Sequence, residues 1–138
     1  MQAEKSLLVW ITDPTGWWGA QASEPLGDCG YQVAVFASVD ELRKSTASGV
    51  TPDVIVYSCP STTKADLDAV ARLTAGPWLV IVIVPEIDVR TTCSIYECGV
   101  AAIGARYDPP AVIVGTIENA NRSKRQLGVA KAAWSVPV

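Results

Sequence analysis

The chain has 138 residues, 49% hydrophobic and 18% charged, which suits one domain with a substantial core and excludes a disordered tail. A formal net charge of -3 supplies no basic field for a polyanion, so direct nucleic-acid binding is not expected. No apolar run approaches the roughly 20 residues that span a bilayer; without a signal-peptide cleavage pattern, no membrane contact and a cytoplasmic location are expected.

Leu7 to Ile11 is a short apolar run with strand character. The crossover that follows, Thr15 to Cys29, is a poor helix by propensity because it contains Gly16, Gly19, Pro25 and Gly27. Tyr31 to Phe36 reads as a second strand. Ser38, followed by Asp40 and Glu41, opens a helix that ends near Gly49. Val54 to Tyr57 and Leu79 to Val84 are continuously apolar, as expected of strands buried on both faces of a parallel sheet. Between them, Thr62 and Thr63 open a helix carrying Leu67, Val70 and Leu73, stopped by Gly76-Pro77. Val89 to Cys98 forms another helix, closed at Gly99, and Val100 to Ile103 is a weaker strand. Pro109-Pro110 starts the last helix, with Val112, Ile113, Val114 and Ile117 as its apolar residues. From Gln126 onward the chain reads as a tail or linker without an element of its own.

This βα unit, repeated five times, predicts an α/β fold: a doubly wound, five-stranded parallel sheet flanked by helices. Such sheets carry their working site beyond the carboxyl ends of the strands. Ile11, Thr12, Asp13, Ser58, Cys59, Val84, Pro85, Ala105 and Arg106 fall there. The chain contains no histidine, and Cys29, Cys59, Cys93 and Cys98 lack the C-x-x-C spacing of a metal or redox site. The thiols are expected to be reduced and mostly buried, and no metal or cofactor is expected.

The strings Leu7 to Pro14, Gly30-Tyr31-Gln32-Val33, Pro52 to Tyr57 and Cys98-Gly99-Val100-Ala101 resemble CheY-like receiver domains of two-component response regulators. The resemblance spans residues 6–125 and leaves 126–138 as the tail. It implies the receiver or flavodoxin-like (βα)5 fold and a phosphorylation chemistry of defined parts. Two acidic residues after strand one and an aspartate ending strand three hold magnesium, and that aspartate attacks the phosphoryl group. A Thr or Ser ending strand four and a Lys ending strand five clamp the phosphoryl oxygens.

Those positions fall here on Ile11 and Thr12 with Asp13 next, on Ser58, on Val84 and on Arg106. Ser58 is an alcohol without an adjacent base, and Val84 cannot hydrogen-bond. One carboxylate is thin support for magnesium, and the planar fork of Arg106 does not replace an ammonium. Aspartyl phosphorylation is therefore expected to fail.

The resemblance implies a phosphorylation-independent pseudo-receiver, not an enzyme, acting in signal transduction or transcription regulation as part of a response regulator. A protein partner or homodimer contact is expected through the last strand and helix, with Tyr107, Ile113 and Ile117 as candidates. The alternative keeps the fold and makes the degenerate pocket a small-molecule site. Trp17 and Trp18, adjacent and unable to face one core together, would then sit at its mouth as ligand or partner contacts. Asp13 is read first as an Asp-Pro turn cap. Arg122, Lys124 and Arg125 are read as cations placed near a helix end by its dipole.

Overall fold

The computed structural model describes residues 7–14, 16–59 and 63–134. Five strands, β1 (Leu8–Thr12), β2 (Gln32–Phe36), β3 (Val54–Ser58), β4 (Leu79–Val84) and β5 (Ala102–Ala105), alternate with five helices. The helices are α1 (Trp17–Asp28), α2 (Val39–Ala47), α3 (Lys64–Thr74), α4 (Val89–Glu97) and α5 (Pro110–Trp134). All paired strands run parallel in the order β2-β1-β3-β4-β5. The expected doubly wound sheet is present.

The period-two alternation of strand side chains divides the core into two layers. Val9, Ile11, Val54, Val56, Ile81 and Ile83 meet α1 and α5 on one face. Trp10, Ile55, Tyr57, Val80, Val82 and Val84 meet α2, α3 and α4 on the other. Every residue of β3 is buried, which is why its sequence is apolar without alternation. Burying a Val, Leu or Ile side chain contributes about 1.5–3 kcal/mol each, so these two layers dominate the stability of the domain.

The first crossover departs from its propensity: it is a helix from Trp17 to Asp28 with Pro25 inside it. Trp18, Ala22 and Leu26 recur at i, i+4 and i+8 and are all buried. That apolar stripe outweighs the lost backbone bond at Pro25 and the flexibility of the glycines. Gly19, which argued against a helix, has a packing role. A Cβ placed there would lie 2.9 Å from Cγ1 of Val35, so its absence lets α1 approach β2.

α5 also runs further than expected. It continues to Trp134, past Gln126, where the sequence placed the start of an unstructured tail. Ser135 to Val138, the rest of that tail, lie outside the described residues. The thiols differ in burial from the expectation as well. None of the four cysteines forms a disulfide among the described residues, yet only Cys59 is buried; Cys98 is half-buried, and Cys29 and Cys93 are exposed.

Candidate functional site

Strand register brings the sequence-selected positions to one edge of the sheet. Thr12 pairs with Tyr57, Ser58 with Ile83, and Val84 with Ala105. Arg106 follows β5 directly, and its backbone N–H donates to the Val84 carbonyl at 2.8 Å. Its guanidinium reaches back across the edge, Nη2 donating to the Cys59 carbonyl at 3.4 Å.

Several of the selected side chains belong to the core. Ile11 is fully buried in the α1/α5 layer and Val84 is buried in the opposite layer, so both belong to the core and neither lines a crevice. Trp18 is likewise a core residue, 4% exposed and packed in the α1/α5 layer, which removes it from the candidate ligand or partner contacts. The side chain of Trp17 lies outside the described residues. Ser58 and Thr12 are both buried. The Thr12 hydroxyl has no hydrogen-bond partner among the described residues.

Asp13 is the one carboxylate among the selected positions, and it is buried. Its Oδ2 accepts the backbone N–H of Gly19 at 2.8 Å. The first N–H groups of a helix have no partner within it, and α1 has no side-chain cap from Gly16, which sits in the left-handed region at φ 74°. Asp13 fills that gap from outside the helix, so its carboxylate caps α1, whereas the sequence suggested a cap on the Asp-Pro turn. The donor set of this edge is thus one carboxylate bound to a helix amide, two hydroxyls and a guanidinium. It does not fit the magnesium ion that the resemblance implies, which takes hard oxygen ligands and usually several carboxylate or phosphate partners. Among the described residues, no three His, Cys, Asp or Glu side chains come together as a metal site.

A second group at this edge was not selected from the sequence. Asp66, in the first turn of α3, is buried. Its Oδ1 accepts from the Tyr57 hydroxyl at 2.8 Å, and its Oδ2 accepts from the backbone N–H and the hydroxyl of Thr63 at 3.0 and 3.1 Å. The Asp66 N–H donates in return to the Thr63 hydroxyl at 3.3 Å, which completes a capping box. Burial pushes the Asp66 carboxyl up, but the hydrogen bonds from Tyr57 and Thr63 outweigh it and hold the group below the usual carboxylate range. Burial, reinforced by the Asp66 carboxylate, pushes the Tyr57 phenol above its ordinary value. The network fastens the start of α3 to the end of β3, one residue from Ser58. The Thr63-x-x-Asp66 spacing was legible as a cap; the partner on β3 was not.

The proposed interface residues separate. Tyr107 is 77% exposed, whereas Ile113 and Ile117 are buried against the sheet and cannot contact a partner. Besides Val35 and Val50, the exposed large apolar side chains among the described residues belong to the last two βα units, at Ile87, Val89, Tyr96, Tyr107 and Val112. Val112 and Ile113 are neighbours in sequence, and the helical turn of about 100° per residue puts one out and the other in.

A five-stranded parallel sheet in this order, with α1 and α5 on one face and α2, α3 and α4 on the other, is the receiver-like α/β fold. No protein-family model and no curated protein matches the chain. Solved structures do. A CheY-like response regulator receiver domain protein from Methanospirillum hungatei superposes with a TM-score of 0.73 at 11% identity, covering 88% of this chain and 99% of that one. An orphan response regulator of H. pylori gives 0.70 at 19% identity, covering 83% and 96%. A protein from Burkholderia pseudomallei described as pilus assembly-related gives 0.74 at 14%, covering 87% and 92%. At these identities the likeness establishes the fold.

Proposed function

We propose that this chain is a phosphorylation-independent receiver-type domain that acts in signal transduction, or in transcription regulation within a response regulator, by associating with protein rather than by catalysis. The observation that carries the reading is the state of the edge where a receiver would be phosphorylated. Among the positions that match the receiver pattern the one carboxylate, Asp13, is buried and bound to the Gly19 amide, and the acceptor position holds a buried Ser58. An acyl phosphate needs a carboxylate nucleophile and a cation to neutralise the incoming group; this edge offers neither in usable form. The small-molecule alternative has less behind it, because Ile11, Val84 and Trp18 pack in the core layers and are not available to line a pocket.

Association is assigned to the last two βα units, where Tyr107, Val112, Tyr96 and Val89 are exposed. A homodimer or a docked protein partner would cover them. Sedimentation velocity over a concentration range tests this directly. The reading predicts reversible self-association that Tyr107→Glu weakens and that acetyl phosphate leaves unchanged. A monomer at every concentration would leave only the heterologous partner, and association that requires acetyl phosphate would end the proposal.

A further inference from the structure

The fold gives the basic cluster of the last helix a new setting. α5 has 25 residues, roughly 37 Å at about 1.5 Å per residue, while the strands it crosses have four to six residues and run about 13–20 Å. Ile113, Ile117 and Ala120 are buried against the sheet. A cleft of about 220 Å³ lined by Leu7, Tyr31, Glu118, Asn121 and Arg122 then places Arg122 at the amino-terminal rim, where β1 and β2 begin. The remainder of α5, to Trp134, continues past the rim.

Charge divides at the same place. All fourteen Asp and Glu residues lie at or before Glu118, and four of the eleven Lys and Arg residues lie after it. Residues 1–118 therefore carry a formal charge of -7 and residues 119–138 carry +4. The cations are Arg122, Lys124, Arg125 and Lys131, interspersed with Leu127, Val129 and Trp134. The helix dipole does not account for them. Its influence is confined to the last turn, and since α5 ends at Trp134, only Lys131 falls there. Nor do pairs along the helix, since Lys124, Arg125 and Lys131 have no carboxylate three or four residues away.

We propose that the end of α5 is a docking element for an anionic lipid surface. A helix segment with four cations and no carboxylates, with Trp and Leu among them, is attracted to a negatively charged lipid surface. It binds there without crossing, since no helix among the described residues is long and apolar enough to span a membrane. The acidic body is repelled by the same surface and is held away from it. The sequence expectation of no membrane contact rested on spanning length and the lack of a signal-peptide pattern and did not address this mode. A nucleic acid is the less favoured occupant, because the apolar residues would find no use on phosphates. A second copy pairing through the same helix end would bring like charges together. This inference does not depend on how the domain is regulated.

The test is co-sedimentation of the full chain with vesicles of equal parts phosphatidylglycerol and phosphatidylcholine, against vesicles of phosphatidylcholine alone. The expected result is binding to the anionic vesicles only, lost at high salt. Each cation near such a surface is worth about fivefold in affinity. Lys124→Gln, Arg125→Gln and Lys131→Gln together should weaken binding on the order of a hundredfold, with the circular dichroism spectrum unchanged because Gln has similar helix propensity. Wild-type chain left in the supernatant, or a triple variant that binds as well as wild type, overturns the proposal. Tighter binding to a DNA duplex than to the anionic vesicles also overturns it, in favour of a nucleic-acid contact.

Discussion

Replacing Tyr57 by Phe removes one hydroxyl and keeps the ring that fills the α2–α3–α4 layer. The lost contact is the 2.8 Å hydrogen bond to the buried Asp66 carboxylate. A hydrogen bond to a charged group contributes about 1.5–3 kcal/mol. Asp66 keeps its two contacts from Thr63, so the lower end, about 1.5 kcal/mol, applies. An unfolding entropy of about 2.1 cal/mol/K per residue over 138 residues converts that to a fall in Tm of about 5 °C.

The deficit should depend on pH. The Asp66 carboxyl is held below its usual range in the folded state. Its contribution is therefore present above the unfolded pKa and is lost as pH falls through the folded one. The Tyr57→Phe deficit should be full at neutral pH and shrink in acid as Asp66 takes up a proton. Thermal melts followed by circular dichroism at neutral and acid pH measure both. An unchanged Tm at neutral pH, or a deficit of the same size throughout the acid range, would refute the network as described.

Three further outcomes follow from the packing. Ile117→Ala empties a fully buried site and should cost about 2–5 kcal/mol in urea denaturation; a loss under about 1 kcal/mol, on the order of a surface change, would place Ile117 outside the core. Ile113→Asp buries an unpaired charge and should unfold the domain, whereas Tyr107→Glu, on an exposed side chain, should leave stability within about 0.5 kcal/mol; equal stability of the two variants would contradict their placement. Asp13→Ala removes the acceptor of the Gly19 amide and should cost about 1 kcal/mol by the same denaturation assay, and an unchanged midpoint would deny Asp13 its capping role.

How far the sequence carried the fold can be argued from particular residues. The β-branched runs of β3 and β4 are continuous because both faces of those strands are covered, and such runs are strong signals. α1 was obscured because Gly19 and Pro25 are unfavourable locally, while the reason for tolerating them, the approach to Val35 and the buried Trp18–Ala22–Leu26 stripe, is tertiary. On α5, apolar residues at 112, 113, 114 and 117 could not be divided into core and surface without the register against the sheet. The absence of a carboxylate at Ser58 was legible outright. The fate of Asp13 depended on where the first turn of α1 would fall, and Asp66 gained its meaning only when folding brought Tyr57 beside it.

Intact-mass spectrometry after incubation with acetyl phosphate and magnesium tests most directly the proposal that this receiver-like edge cannot hold an acyl phosphate. An unmodified mass is predicted. A phosphoryl group mapped to Asp13 or Asp66, or one at Ser58 that forms under the same conditions, would contradict it.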